Sequence, residues 1–396
     1  MISFNKKQEK YLAIIFIIAF LFIFDFFLSS QLQFFINLFN SPQGINLPGL
    51  IVQIKEAIVE KPEVKRVARP EEVRGLYWTA YTAGSSRGEQ LMSYIIASGL
   101  NTVVIDLKMD NGAIAFEPLN DGLKQYALSK PVIKDLEKLL NDLSEKNIYR
   151  IARIAVMRDG VMARTNPELA LRWSGGSFWQ DNIGSLWVDP AAPEVADYAI
   201  ALTREAYARG FDEIQFDYIR FASDGKTSAI VYPIYDGTET KIEVMQNFFQ
   251  KVGGTLQQEG IPVSFDLFGM TFWSNHDYNI GQRLIDVYPY TDYISPMVYP
   301  SHYYSGFRGH SNPALYPYDV VKSSLDRGLE VLEDNNLALA EEAQSKLRPW
   351  LQDFDLGAVY TAAMIEEQIR AAREAGCSGW LLWNARNVYQ PANYLP

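Results

Sequence analysis

Residues 210–221 read GFDEIQFDYIRF, and this stretch carries both a fold signal and a functional signal. Gly210 is suited to ending a helix, and the apolar run Glu213–Ile219 has the composition of a strand that is buried on both faces. Asp217 stands late in that run, where a charged side chain is costly unless it is paired or faces a polar cavity. We therefore predict a buried strand that delivers a carboxylate to its carboxyl-terminal end.

Runs of the same type recur from Arg74 to the end of the chain. The eight predicted strands are Gly75–Thr79, Thr102–Leu107, Tyr149–Met157, Glu213–Ile219, Pro262–Phe268, Tyr293–Val298, Pro349–Phe354 and Gly379–Trp383. Apolar residues at helical spacing separate them, least clearly between strands five and six and between strands six and seven. This alternation predicts an α/β fold with a parallel sheet, and eight strands favour a closed (β/α)8 TIM barrel over a doubly wound open sheet.

The loop lengths point to one end of the barrel as the functional end. Connections that enter strands are short, whereas the longest connections leave strands, at Arg158–Pro190, Arg220–Lys241 and Tyr299–Pro317. In a barrel of this type, loops that leave strands gather at the carboxyl-terminal face, where active sites lie.

Acidic residues stand late in several of the predicted strands, at Asp106, Asp217, Asp266 and Asp353, with Asp355 just beyond. Asp217 and Asp266 belong to consecutive strands, which lie roughly 5 Å apart in a sheet. Glycoside hydrolysis needs such a pair, and the separation of the two carboxyl groups decides between retention and inversion. We predict Asp217 as the nucleophile or base and Asp266 as the acid. The alternative is that these aspartates only pair with Lys108, Arg153 or Arg220 at the barrel rim.

Aromatic residues at strand ends and in the exit loops favour a sugar substrate. The chain contains 23 Tyr, 22 Phe and 8 Trp, and flat aromatic rings combine an apolar face with an amphipathic edge. Several of these rings could instead cap the barrel core. The predicted substrate-binding residues are Asp106, Lys108, Trp187, Arg220, Trp273, Tyr299, His302, Trp383 and Asn384.

The segment 210–221 resembles the signature of the DUF4015 family of glycosyl hydrolases. Further similar segments are Arg74–Tyr77 (RGLY), Trp187–Pro190 (WVDP), Tyr293–Pro300 (YISPMVYP) and Gly379–Asn384 (GWLLWN). The resemblance covers about residue 73 to the end of the chain and implies a TIM barrel distantly related to the α-amylase-like hydrolases.

Two departures from related barrels leave the mechanism open. In chitinase-like barrels the strand-four motif ends in a catalytic Glu, where this chain has Ile219. In amylase-like barrels an Arg stands two residues before the strand-four nucleophile, where this chain has Gln215. Asp266 is the nearest equivalent of the amylase-like acid, which is a Glu on strand five.

Composition excludes several classes of function. The formal net charge is −11, with 36 Lys and Arg against 47 Asp and Glu, so nucleic acid is not an expected partner. One cysteine and three histidines disfavour Cys- or His-rich metal sites, and we predict neither a metal nor a cofactor. Calcium held by loop carboxylates such as Asp224 or Asp236 has no support in the pattern. Two alternatives to the hydrolase remain: a non-catalytic carbohydrate-binding barrel at the cell surface, and a metal-dependent deacetylase or hydrolase.

The N-terminus reads as a separate unit. Lys6, Lys7 and Lys10 precede the apolar stretch 11–28, which is close to the length of a membrane-spanning helix. The basic flank predicts a cytoplasmic N-terminus and an extracytoplasmic barrel, and a cleaved signal peptide is the alternative. We predict a membrane signal-anchor over 1–30, a linker over 31–72 and a glycoside hydrolase-like domain over 73–396.

Overall fold

The computed structural model describes residues 64–274 and 276–395, and their strands form a closed parallel barrel. Each strand pairs with the next in chain order, and the first pairs with the last. The strands are β1 (Val73–Trp78), β2 (Thr102–Lys108), β3 (Tyr149–Ala155), β4 (Glu213–Asp217), β5 (Val263–Phe268), β6 (Tyr293–Met297), β7 (Trp350–Gln352) and β8 (Gly379–Trp383). The predicted (β/α)8 barrel is confirmed, and closure excludes the open sheet.

Helices occupy the connections between strands. They are α1 (Ala80–Ala83), α2 (Ser86–Ala97), α3 (Asp121–Lys124), α4 (Leu136–Glu145), α5 (Gly160–Thr165), α6 (Pro193–Arg209), α7 (Lys241–Gln258), α8 (Leu284–Val287), α9 (Pro317–Asp334), α10 (Ala340–Lys346) and α11 (Ala362–Glu374). The weak pattern after β5 corresponds to the four-residue α8. The equally weak pattern after β6 hides the 18-residue α9, because Ser324 and Gly328 interrupt the buried stripe of Val321 and Leu325.

Polar residues fill much of the barrel interior. Glu213 and Arg348 form an ion pair with both side chains fully buried, and the Tyr149 hydroxyl donates to Glu213 at 3.1 Å. One layer higher, the Gln215 side-chain amide donates to the Ser295 hydroxyl at 3.0 Å. The larger apolar core lies outside the barrel wall, between the strands and the helices.

Residues 64–72, the N-terminal strap, pack against the amino-terminal end of the barrel. The buried Val67 donates its backbone N–H to Asp212 Oδ1 at 2.8 Å, and Arg150 binds the same carboxylate with two nitrogens. Glu72 accepts from Arg373 Nε at 2.6 Å. These contacts close the end opposite to the predicted functional face.

The predicted anchor over residues 11–28 and the linker up to residue 63 lie outside the described residues. Among residues 64–274 and 276–395, no helix combines the length and the apolar character that crossing a bilayer requires.

Candidate active site

A cavity of about 370 Å³ opens at the carboxyl-terminal ends of the strands. This is the size range of small-molecule sites. Its lining residues are Arg153, Asp217, Tyr218, Arg220, Phe268, Gly269, Met270, Met297, Tyr299, His302, Tyr303, Trp350 and Trp383. Four of these residues are the last residues of their strands, so the barrel itself positions the cavity floor: Asp217, Phe268, Met297 and Trp383.

Asp217 is the carboxylate of this cavity. It is the last residue of β4, and its Oδ2 accepts hydrogen bonds from Arg153 Nη2 at 2.6 Å and Arg153 Nε at 3.1 Å. Its Oδ1 accepts from the backbone N–H of Tyr218 at 2.6 Å. Both carboxylate oxygens are thus held in place before any substrate binds.

Arg153, on β3, gathers three aspartates around one guanidinium. Besides Asp217, it binds Asp106 at 2.6 Å and Asp110 at 3.1 Å, and it is only 1% exposed. Burial alone would lower the pKa of Arg153, but the three carboxylates outweigh it and raise the pKa well above its usual value. Burial raises the pKa of Asp106 to about 6 against the opposing effect of Arg153, and the Tyr77 hydroxyl donates to the same carboxyl group.

Tyr218 adopts a left-handed backbone conformation, with φ +53°. This region is unfavourable for a bulky side chain, and such residues persist where surrounding contacts fix them, often at functional sites. Here the Tyr218 N–H is bound by Asp217 and its carbonyl accepts from the backbone N–H of Met157 at 3.0 Å. The turn directs the Tyr218 ring along the cavity wall, where its hydroxyl accepts from Arg158 Nη1 at 2.6 Å.

Asp266 stands at the same height as Asp217 on the neighbouring strand. Gln215 is in register with Ser264, so the residues two positions later, Asp217 and Asp266, are also level. Asp266 is 1% exposed and lies behind the residues that line the cavity.

The environment of Asp266 favours its protonated form. Its Oδ1 accepts from the Trp350 indole at 2.9 Å, and its buried Oδ2 has no hydrogen-bond partner in the described residues. Burial, and then the charge of Asp217, raise the pKa of Asp266 well above its usual range. A neutral carboxyl group beside a carboxylate is the charge arrangement of an acid and a nucleophile or base.

Aromatic rings form one wall of the cavity. Trp383 stacks on Tyr77 with ring centroids 4.0 Å apart, and Trp350 meets Trp383 edge-on at 5.5 Å. Tyr299 and His302 lie edge to face at 5.1 Å, and burial lowers the pKa of His302, so its imidazole is neutral at pH 7. This wall can stack against the apolar face of a sugar ring.

The structure brings five predicted site residues into the cavity, namely Asp217, Arg220, Tyr299, His302 and Trp383. Three more lie directly behind its lining. Asp106 and Asp266 are placed as described above, and the Trp187 ring lies 5.0 Å from the Arg220 guanidinium while its indole donates to Asp181.

Three predicted substrate contacts lie elsewhere. Lys108 is fully buried and pairs with Asp159 at 2.8 Å, because its side chain points away from the barrel interior. Trp273 packs on Phe307 and donates to Ser324 at 3.2 Å. Asn384 uses its amide to hold the carbonyl oxygens of Asp353 and Val388. None of these three residues lines the cavity.

From the sequence, Arg153 is predicted only as a possible ion-pair partner of the aspartates at the barrel rim, and Tyr218 is not predicted as a site residue. Arg153 stands inside the apolar run YRIARIA of β3, so the argument that singled out Asp217, a charge inside a buried strand, applies to it equally. Nothing in the sequence signals the left-handed conformation of Tyr218. In the part of the chain that the structure describes, no group of three or more His, Cys, Asp or Glu is arranged to hold a metal ion.

A family model matches most of the chain. The model of the family DUF4015, described as "Putative glycosyl hydrolase domain", matches residues 75–389. No curated protein matches the chain.

The chain is similar to several solved structures. The glycoside hydrolase domain of PgaB (BpsB) from Bordetella bronchiseptica aligns with a TM-score of 0.55 at 11% identity, covering 80% of this chain and 94% of that chain. A hypothetical protein from Ruminiclostridium thermocellum ATCC 27405 is 30% identical, covers 48% of this chain and 96% of that chain, and has a TM-score of 0.43. The α-galactosidase TtGalA from Thermus thermophilus aligns with a TM-score of 0.47 at 14% identity, covering 83% of this chain and 61% of that chain.

Proposed function

The chain belongs to the DUF4015 family of glycosyl hydrolase domains, and from this premise we propose that it cleaves glycosidic bonds in a poly- or oligosaccharide. The observation that carries the proposal is Asp217, a carboxylate with both oxygens oriented, on the floor of a cavity with an aromatic wall. A positioned carboxylate at this face of the barrel can act as a nucleophile on the anomeric carbon or as a base for water.

We assign the proton-donating role to Asp266. A general acid must carry its proton at the working pH, and burial beside Asp217 keeps Asp266 neutral. Its free Oδ2 is the atom available to the leaving oxygen. Because Asp266 lies behind the cavity lining, its contact with the glycosidic oxygen forms when substrate binds, as catalytic contacts often do.

The other cavity residues orient the sugar in this proposal. Trp383 supplies an apolar face, and Tyr299 and His302 supply polar atoms for hydroxyl groups. Arg153 and Asp106 act through Asp217 by fixing its carboxylate.

The test is hydrolysis of a panel of cell-wall and storage polysaccharides by the full chain and by Asp217→Asn. We expect the variant to lose activity by about a thousandfold or more while it keeps its fold. Asp355→Asn is the matched control, because Asp355 is exposed, lies outside the cavity and binds only the Tyr360 backbone N–H. Undiminished hydrolysis by Asp217→Asn would refute the assignment.

A non-catalytic carbohydrate-binding barrel is the second candidate. It is favoured by one observation: three hydrogen bonds from Arg153 and Tyr218 already engage both oxygens of Asp217, and no second carboxylate among the described residues lines the cavity. Binding of a glycan without release of reducing ends, unchanged in Asp217→Asn, would establish this function in place of the first.

We also propose that residues 11–28 anchor the protein in the membrane, with the N-terminus in the cytoplasm and the barrel outside. The basic flank and the apolar length support this orientation. Sedimentation of the full chain with membranes, and digestion of its barrel by protease added to intact cells whose wall has been removed, test it. A barrel that is protected until the cells are lysed contradicts it.

A further inference from the structure

Two buried arginines line the cavity, and only one of them is bound to carboxylates of the described residues. Arg153 binds three carboxylates, whereas the Arg220 guanidinium donates only to the backbone carbonyl of Phe221, at 3.0 Å, among the residues that the structure describes. No carboxylate of residues 64–274 or 276–395 lies within 4.0 Å of Arg220. Arg220 is 6% exposed and lines the cavity.

Aromatic rings fix the Arg220 guanidinium without neutralising it. Its centre lies 4.6 Å from the Phe268 ring, 5.0 Å from the Trp187 ring and 5.3 Å from the Tyr218 ring. A stacked guanidinium keeps its N–H edge free for a planar acceptor. Burial lowers the pKa of Arg220 against the weaker opposing effects of Tyr218 and Asp217, which is the signature of a cation lacking a close partner.

The two arginines that line the cavity differ in their charge partners. Arg153 and Arg220 are cationic, Asp217 is the anion and is bound to Arg153, and the buried His302 is neutral. Arg153 also binds Asp106 and Asp110, so Arg220 is the lining arginine that has no carboxylate in contact among the described residues. A buried charge is costly unless it is paired, so a partner is expected from outside the protein.

We propose that Arg220 binds an acidic substituent, a carboxylate or a sulfate ester, on the sugar that occupies the cavity. This inference rests on the proposed carbohydrate function and names its substrate class. Guanidinium groups bind such oxyanions through two parallel hydrogen bonds, which fix orientation as well as add affinity. The acidic group would set the sugar ring between Arg220 and the aromatic wall, with its glycosidic bond toward Asp217.

The experiment measures binding of sugar acids by the full chain in neutral detergent. The probes are glucuronate, galacturonate, N-acetylmuramate and N-acetylneuraminate, each against its own methyl ester. Glucose 6-sulfate and galactose 6-sulfate, each against its parent sugar, form the sulfate arm. Each pair differs chiefly in one negative charge. We expect at least one acid to bind about tenfold or more tightly than its neutral partner, since the contact is charge-assisted. The arm that shows the preference identifies the substituent.

Two variants separate a specific contact from general electrostatics. Arg220→Gln should reduce the preference to within about twofold. Arg204→Gln removes the same charge from an exposed pair with Glu259 on α6 and should leave the preference intact. The inference is overturned if no acid is preferred, or if the preference survives in Arg220→Gln. If either result is obtained while neutral glycans are cleaved by the full chain and not by Asp217→Asn, the proposed function stands and only the acidic substrate class is refuted.

Discussion

At the scale of single residues, the site depends on the different surroundings of two neighbouring aspartates, Asp217 and Asp266. Asp217 receives hydrogen bonds from Arg153 and a backbone N–H, whereas Asp266 receives one from an indole and is buried without a cation in contact. Burial, and then the charge of Asp217, raise the pKa of Asp266 well above its usual range, so the two chemically identical groups on adjacent strands have different surroundings. This asymmetry is what an acid–nucleophile or acid–base pair requires.

The acid role of Asp266 predicts a dependence on the leaving group. Asp266→Asn should slow hydrolysis of a natural glycan by about 10²- to 10⁴-fold, because the leaving oxygen is no longer protonated. An aryl glycoside of the same sugar with a strongly acidic phenol needs no proton and should lose little activity. Steady-state kinetics on the two substrates test this prediction. Equal losses of activity on both substrates would remove Asp266 from the acid role.

The left-handed conformation of Tyr218 predicts an inverted order of stability between two small substitutions. Tyr218→Gly should be more stable than Tyr218→Ala by about 1 kcal/mol, since only alanine keeps the steric cost of φ +53°. At Tyr94 within α2, the order should reverse, because glycine disfavours a helix interior. Urea unfolding of the four variants measures both differences. An alanine variant as stable as the glycine variant at position 218 would show that no strain is stored there.

At the scale of elements, β7 and the segment after β8 are joined through one buried carboxyl group. Asp353, directly after β7, accepts from the Gln390 backbone N–H at 3.0 Å, and its carbonyl accepts from the Asn384 amide. Burial raises the pKa of Asp353 to about 7. Between about pH 4 and pH 7 the folded state therefore keeps a proton that the unfolded state releases, so stability falls as pH rises through this window.

Asp353→Asn should remove this contribution. The stability of the variant relative to the natural chain should increase from pH 4 to pH 7 by up to about 4 kcal/mol, at about 1.4 kcal/mol per pKa unit, and then level off. Denaturant unfolding at several pH values measures the difference. A relative stability that does not change with pH would mean that Asp353 is ionised in the folded state.

The elements also show how far the sequence could predict this molecule. Strand positions were predicted to within a few residues, because buried parallel strands are continuous apolar runs. Asp217 and Asp266 could be predicted to lie level with each other without knowing the strand register, since the carboxyl ends of consecutive barrel strands meet at one rim. The observed register agrees. The directions of individual side chains, in contrast, could not be predicted from the sequence. Lys108 ends β2 but points outward to Asp159, and Trp273 turns toward α9, which no local pattern reveals.

At the scale of the whole molecule, the barrel interior is organised as a polar column beneath the cavity. Glu213 and Arg348 pair near its amino-terminal end, Gln215 and Ser295 bond above them, and the Arg153 cluster lies at the top. The column is not fully hydrogen-bonded, because Gln215 Oε1 and Arg348 Nε are buried without a partner among the described residues.

The buried pair at the base of this column predicts a large loss of stability. Glu213→Gln leaves Arg348 buried without its charge partner and should cost about 3–5 kcal/mol in unfolding free energy. Glu330→Gln, in the exposed pair with Arg327, is the control and should cost less than about 1 kcal/mol. Comparable losses at the two positions would mean that the interior pair is not held as the structure shows.

In the proposed mechanism, a sugar occupies the cavity with its scissile bond facing Asp217. The most direct measurement is the crystal structure of Asp217→Asn with an oligosaccharide bound. We predict one sugar ring on the face of Trp383 and an anomeric carbon, or its attacking water, within about 3.5 Å of the residue-217 side chain. A glycan bound elsewhere on the barrel, or in the cavity with every anomeric carbon directed away from residue 217, would contradict the account.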